Sequence, residues 1–303
     1  MVSLFEALLP VFHVVVKLLS GLRPRTVKID DETVMSFWAP RTPAPEKKPP
    51  PVVLLHGFTG NGILTWMCQA VSLARQNYAV YVPDLLFFGG STTSDPDRSP
   101  AFQARCLVKA LTKLGVERCS LVGFSYGAVV ALKMAEVYPE MVVSVAVSGP
   151  VPAMNEHVAA TITARLGFRS FAELLMPNTL EGLHTMFNIG VSPDSKLSFP
   201  KFLYPGYFKV MFDNREERCK LLDRLIVSDK DASYPNLQQK ILLICGEGDQ
   251  IFPFDILKNI KEQLGCNAKL VSLERAGHMA HFERPFASNK LLKEHLASSF
   301  KAE

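Results

Sequence analysis

The feature that most constrains the fold of this chain is a repeated alternation of short apolar runs with longer helix-like stretches. Val52-Val53-Leu54-Leu55 is the plainest of the runs, and residues 78–82, 120–122, 142–147, 241–245 and 269–273 continue the series. A short run that is apolar without interruption is expected of a strand covered on both faces. Helix-like stretches at about 63–76, 101–114, 128–138, 255–264 and 285–300 lie between and after these strands. The alternation predicts an α/β fold with a mostly parallel central sheet and helices on both faces. Two further strand-like segments, 26–30 and 33–38, flank an Asp30-Asp31 turn and predict an opening hairpin. The proline-rich stretch 40–51 then reads as a connector, too poor in backbone donors for a helix or a central strand.

With 303 residues, 48% of them hydrophobic, the chain can bury a core as one large domain or as one domain carrying an insertion. The rhythm of strands and helices breaks between Val151 and about Asn236, where no strand run is evident and several short helices are interrupted by Pro177, Pro193, Pro200 and Pro205. We therefore expect a core formed by residues 26–150 and 237–303, a helical cap inserted at 151–236, and a separate N-terminal segment at 1–25. The cap follows a strand ending at Ser148, which places it over one edge of the sheet.

Charge and cysteine usage narrow the classes further. There are 33 basic and 29 acidic residues, a net charge of +4, and no long run of one sign, which argues against a nucleic-acid partner. Six cysteines are scattered without zinc-like spacing, and Cys119 and Cys245 fall within apolar runs. They read as reduced, partly buried thiols of a cytosol-like compartment. Residues 1–22 are rich in Leu, Val and Phe, but Glu6, Pro10, His13 and Lys17 interrupt them. The interruptions are not expected of a spanning helix, and with no basic residue before the apolar part and no clear small-residue cleavage site after it, a secretory signal is not expected either. The pattern predicts an amphipathic segment that either packs on the domain or rests on a membrane surface.

The sharpest motif is Gly123-Phe124-Ser125-Tyr126-Gly127, set between the strand at 120–122 and the helix-like stretch 128–138. A serine flanked by glycines at a strand-to-helix turn is the sequence form of a nucleophile elbow, in which the hydroxyl is pushed into the open. A serine is a weak nucleophile at neutral pH, so the motif predicts a histidine base and a carboxylate to orient it. The chain offers Asp249 after the strand at 241–245 and His278 after the strand at 269–273. Both would lie on the sheet edge where Ser125 emerges. Glu247 is the rival carboxylate and His281 the rival base. We rank Asp249 first because Gly248 frees its loop to turn, and His278 first because Gly277 suits a tight loop after a strand. Two backbone amides are candidate oxyanion donors: that of Tyr126, at the start of the helix, and that of Phe58, in the loop His56-Gly57-Phe58-Thr59-Gly60. His56 reads as a structural residue of that loop.

Together, His56-Gly57-Phe58, the Ser125 pentapeptide, the Asp249 loop ending in Pro253, and Gly277-His278 followed by Glu283-Arg284-Pro285 closely resemble the α/β-hydrolase superfamily. Pro83-Asp84-Leu85 through Gly89-Gly90-Ser91 looks like the loop after that family's next strand. Asp84 and Ser91 are expected to shape that loop without taking part in chemistry. The resemblance runs from about Thr26 to Phe300 and is nearest to serine esterases and monoacylglycerol-lipase-like enzymes with a helical cap. It implies a Ser-His-Asp hydrolase that needs no cofactor or metal; the aromatic and methionine side chains of the cap point to a small-molecule apolar ester as its substrate. A serine at the elbow counts against relatives that use a carboxylate nucleophile, whereas carbon–carbon bond hydrolases, thioesterases and amidases share the same triad. A ligand receptor that keeps the fold with very slow turnover is a further alternative. Aromatics between Phe168 and Phe212, with Met154, Met176, Met186 and Met211, are candidates to line an acyl pocket, although most are expected simply to pack the cap.

Overall fold

The computed structural model describes residues 3–41, 51–149, 154–228, 230 and 235–300. Most of the proline-rich connector and the first residues of the expected insertion lie outside these ranges. The chain opens with helix α1 (Leu4–Ser20) and the hairpin β1 (Arg23–Lys28) and β2 (Thr33–Ala39). The first part of the sheet-and-helix alternation follows: β3 (Val52–Leu55), α2 (Gly62–Ala74), β4 (Val80–Pro83), the short β5 (Thr92–Thr93), α3 (Pro100–Lys113), β6 (Cys119–Phe124), α4 (Tyr126–Val137) and β7 (Val142–Ser148). A mostly helical segment comes next: β8 (Met154–Asn155), α5 (Glu156–Arg165), α6 (Phe171–Leu175), α7 (Leu180–Gly190), α8 (Tyr204–Met211), α9 (Arg215–Leu225) and β9 (Ile226–Val227). The chain then returns to the sheet with β10 (Lys240–Gly246), α10 (Phe254–Leu264), β11 (Ala268–Leu273), α11 (Ala280–Glu283) and α12 (Pro285–Phe300).

Among the described residues the main sheet runs β1-β2-β4-β3-β6-β7-β10-β11, with β5 paired to β2. From β4 to β11 every neighbouring pair is parallel, and only the β1, β2, β4 and β5 pairings at one end are antiparallel. The central strands β3, β4, β6, β7 and β10 are almost wholly buried because each face meets its own core. Val53, Leu55, Leu121, Ile241 and Leu243 join a core that includes residues of α3, α4 and α10. Their neighbours Val52, Leu54, Val122, Leu242 and Ile244 point the other way, into a core shared with α2 and α12.

One expectation needs correction. The stretch from Val151 to Asn236 is not free of strands: β8 and β9 pair in parallel, Met154 with Ile226 and Asn155 with Val227. Two-residue strands have no periodicity to read, and this pairing draws the two ends of the helical segment together. At the N-terminus, α1 is started by Ser3, whose hydroxyl accepts from the Glu6 amide while the Glu6 carboxylate accepts from the Ser3 amide. The helix packs on α2 and α8, buries Phe5 and Val16, and closes at Gly21.

Candidate active site

Ser125 stands between the end of β6 and the start of α4 with φ 51° and ψ −116°, a conformation that costs a non-glycine residue roughly 1–3 kcal/mol. The flanking glycines allow this turn by close approach. A Cβ on Gly127 would lie 2.3 Å from the Leu55 carbonyl oxygen, and one on Gly123 would lie 2.6 Å from the Ala128 Cα. The Ser125 amide donates to the Ser148 carbonyl at 2.9 Å, which ties the elbow to the end of β7.

The residue just after β7 also meets the histidine. Gly149 has φ +59°, and a Cβ there would lie 2.5 Å from His278 Cε1. His278 and Ser125 thus flank the same strand end, and both line one small cavity together with Phe58, Tyr126 and Gly149. Met154, Phe171, Leu222 and Leu225 of the helical segment line its other side.

Asp249 is buried, and its two carboxylate oxygens have separate partners. Oδ1 accepts from the amides of Ile251 at 2.8 Å and Phe252 at 2.9 Å, whereas Oδ2 lies 3.0 Å from His278 Nδ1. Opposite a carboxylate oxygen Nδ1 is the donor, so Nε2 is the ring nitrogen left to act as a base. The rival residues sit elsewhere. Glu247 is exposed and accepts from the Ser272 hydroxyl at 2.8 Å. His281 is buried among Trp66, Phe124 and Phe282, and burial depresses its pKa to about 3. The role of Gly248 is also different from the one expected. Its backbone is not left-handed; a Cβ there would lie 2.5 Å from the Ser192 hydroxyl, so the loop needs the space.

The loop after β3 is held by His56. Its Nε2 accepts from the Leu85 amide at 2.9 Å, so Nδ1 carries the proton and donates to the Gly57 carbonyl at 2.7 Å. Burial lowers its pKa to about 4 and keeps it neutral. Asp84 receives the Gly62 and Gly90 amides at 2.9 and 3.1 Å, and burial raises its pKa to about 6. The Ser91 hydroxyl donates to the Asp84 carbonyl at 2.7 Å, so both residues shape the loop after β4. Tyr126 is the first residue of α4, where backbone amides have no partner within the helix. Its ring packs edge-on to Phe58 at 5.7 Å, and Phe88 packs edge-on to Phe58 at 5.3 Å.

Sequence reasoning missed three contributors. Gly149 leaves room for the imidazole, and Phe88 buttresses Phe58 and Tyr126. Glu283, read only as part of a motif, accepts from the amides of Gly277 at 2.7 Å and Ser192 at 2.9 Å. It thereby fastens the His278 loop to the middle of the helical segment, just after α7. Among the described residues no group of three or more His, Cys, Asp or Glu side chains is placed to hold a metal ion.

Comparison with known proteins agrees with this architecture. A family model described as alpha/beta hydrolase fold matches residues 50–182. A 2-hydroxy-6-oxononadienedioate/2-hydroxy-6-oxononatrienedioate hydrolase of Pseudomonas is 26% identical over 257 residues, which cover 81% of this chain and 87% of that protein. A lipase-like protein of Acinetobacter baumannii, described as a putative lipase, superposes with a TM-score of 0.78 over 97% of both chains at 20% identity. A bacterial membrane phospholipase A superposes with a TM-score of 0.79, covering 97% of this chain and 92% of its own, also at 20% identity. The chain therefore has the α/β-hydrolase fold.

Proposed function

We propose that the protein is a serine hydrolase that cleaves carboxylic esters with an apolar acyl part, such as monoacylglycerols, through an acyl-enzyme. The observation that carries this reading is the shared cavity of Ser125 and His278, with Asp249 Oδ2 3.0 Å from the far nitrogen of the imidazole. Ser125 Oγ attacks the ester carbonyl and His278 Nε2 takes its proton. The amides of Phe58 and Tyr126 hold the oxyanion, and Asp249 stabilises the imidazolium. Collapse of the tetrahedral state breaks the acyl–oxygen bond, and His278 protonates the departing alcohol. Water then adds to the acyl-enzyme, losing its proton to His278; the carboxylic acid leaves and Ser125 regains its proton. Residues 151–236 act as a cap over the reacting ester group, in keeping with Met154, Phe171, Leu222 and Leu225 at the cavity.

A carbon–carbon bond hydrolase acting on a dicarboxylate is the second reading, raised by the Pseudomonas relative. The cavity favours the ester, because apart from Ser125 and His278 its described lining is mostly aliphatic and aromatic, with no Lys or Arg among the described residues to hold a carboxylate.

The test is labelling by a fluorophosphonate, followed by turnover of nitrophenyl esters of increasing chain length. Wild-type protein should be labelled and turn over repeatedly, and Ser125→Ala should lose both. Asp249→Asn should lower kcat on the order of 10³–10⁴-fold. Undiminished labelling of Ser125→Ala would exclude it as the nucleophile, and a single turnover in the wild type would favour the slow receptor.

A further inference from the structure

Helix α1 has a wider apolar arc than the protein covers. Phe5 and Val16 are buried, while Leu4, Leu8, Val11, Val14 and Val15 on the adjoining arc are at least 45% exposed and Leu18 is 77% exposed. At about 100° per residue these positions share one side of the helix, and Glu6, His13 and Lys17 fall together on another. No described helix is long and apolar enough to cross a membrane. A helix of this kind is suited to lying in an interface plane.

Two cavities meet at this helix. One is an open groove of about 1050 Å³ between α1 and α12 across α2, which also carries Phe286, 89% exposed. Arg75, Lys290 and Lys293 line the groove against a single carboxylate, Glu294. The other, about 390 Å³, lies beneath α1 and is walled by Phe187, Phe199, Tyr204 and Tyr207 of the helical segment. Phe12 and Met67 belong to both walls, so the groove and the inner cavity adjoin at these two side chains. The inner cavity also reaches Gly57 and Phe124, and a Cβ on Gly57 would lie 3.5 Å from the Ser125 Cβ.

We infer that the outer arc of α1, with the groove beside it, docks on an anionic lipid surface, and that the cavity beneath α1 receives the tail of a single-chain lipid ester drawn from that surface. The identity of the tail's ester group rests on the hydrolase reading given above; the docking does not. The exposed apolar arc supplies hydrophobic insertion, and the cations of the groove match lipid phosphates and carboxylates. A second copy of the chain is a poorer occupant, since it would bring the same excess of cations to the interface. The cavity volume falls within the range of small-molecule pockets, about 300–1,000 Å³.

The experiment is flotation of the full chain with vesicles of phosphatidylcholine alone or mixed with phosphatidylserine, using Ser125→Ala so that no ester is consumed. The protein should float with the mixed vesicles, far less with neutral ones, and be released by salt. The double variant Val11→Glu/Leu18→Glu should lose flotation about tenfold or more, with its thermal midpoint retained. Lys290→Gln/Lys293→Gln should lose the preference for anionic vesicles. A monoacylglycerol carrying a diazirine in its tail, presented in the same vesicles, should crosslink to peptides containing Leu64–Met67 and Phe187–Asn188. Failure to float, flotation unaffected by the glutamates, or crosslinks confined to other surfaces would overturn the inference. So would sedimentation as a dimer that the glutamates convert to monomer. If Ser125→Ala floats and crosslinks while the wild type never hydrolyses an ester, the hydrolase reading fails and the docking stands.

Discussion

Gly149 and His278 are in contact such that a single methyl group on the glycine would occupy the space of the imidazole, 2.5 Å from Cε1. The glycine also has a left-handed φ of +59°. Gly149→Ala therefore combines backbone strain with displacement of the ring. We expect turnover of a soluble ester to fall on the order of 10²-fold, the usual penalty for a misplaced catalytic group. The fold should persist with a lower thermal midpoint. Steady-state kinetics beside a melting curve will check this, and near-normal kcat would show that the imidazole does not occupy this position during turnover.

Glu283 holds two backbone amides from different parts of the chain, Gly277 beside His278 and Ser192 after α7. Removing it leaves both without their charged acceptor. Glu283→Ala should cost about 2–4 kcal/mol in urea unfolding and should lower kcat more than it raises KM. Glu283→Gln keeps one acceptor and should recover part of both losses. Equal unfolding midpoints for wild type and alanine variant would contradict this account.

Acid stability should be set largely by buried histidines. Burial lowers the pKa of His56 to about 4, of His281 to about 3 and of His295 to about 4, from an ordinary 6.5. In the unfolded chain these groups take up protons at a higher pH than in the native state. Their stabilising contribution is thus complete above about 6.5 and is lost as the pH falls towards about 3–4. His281 has no hydrogen-bond partner for either ring nitrogen among the described residues, so it can be replaced by an apolar side chain. His281→Leu should flatten the dependence of the urea midpoint on pH between 6.5 and 4. A slope equal to that of the wild type would refute the assignment.

How much was readable in advance follows from the range of the forces involved. Val52–Leu55 announced a central strand because both of its faces are buried, a local property of four residues. Gly123 was legible for the same reason, since the atoms that exclude a Cβ there belong to Gly127 and Ala128 close by in the chain, whereas the atoms that exclude one at Gly127 belong to Leu55 and His56. Gly149, Glu283 and Phe88 were not, because each acts on a residue brought close only by the folded sheet. The pairing of β8 with β9 was invisible since two residues carry no pattern. The N-terminal helix shows the limit most clearly. Its apolar richness was plain, but which side meets α2 and α8 and which side stays bare depends on elements distant in the chain.

The contact of Phe5 with Tyr207, ring centres 5.5 Å apart, has a bearing on biosynthesis. Helix α1 leaves the ribosome long before α8 exists to shelter it. At ordinary elongation rates of roughly 5–20 residues per second, the delay is on the order of 10–40 seconds. Throughout that interval the apolar side of α1 that later meets α8 has no α8 to pack against.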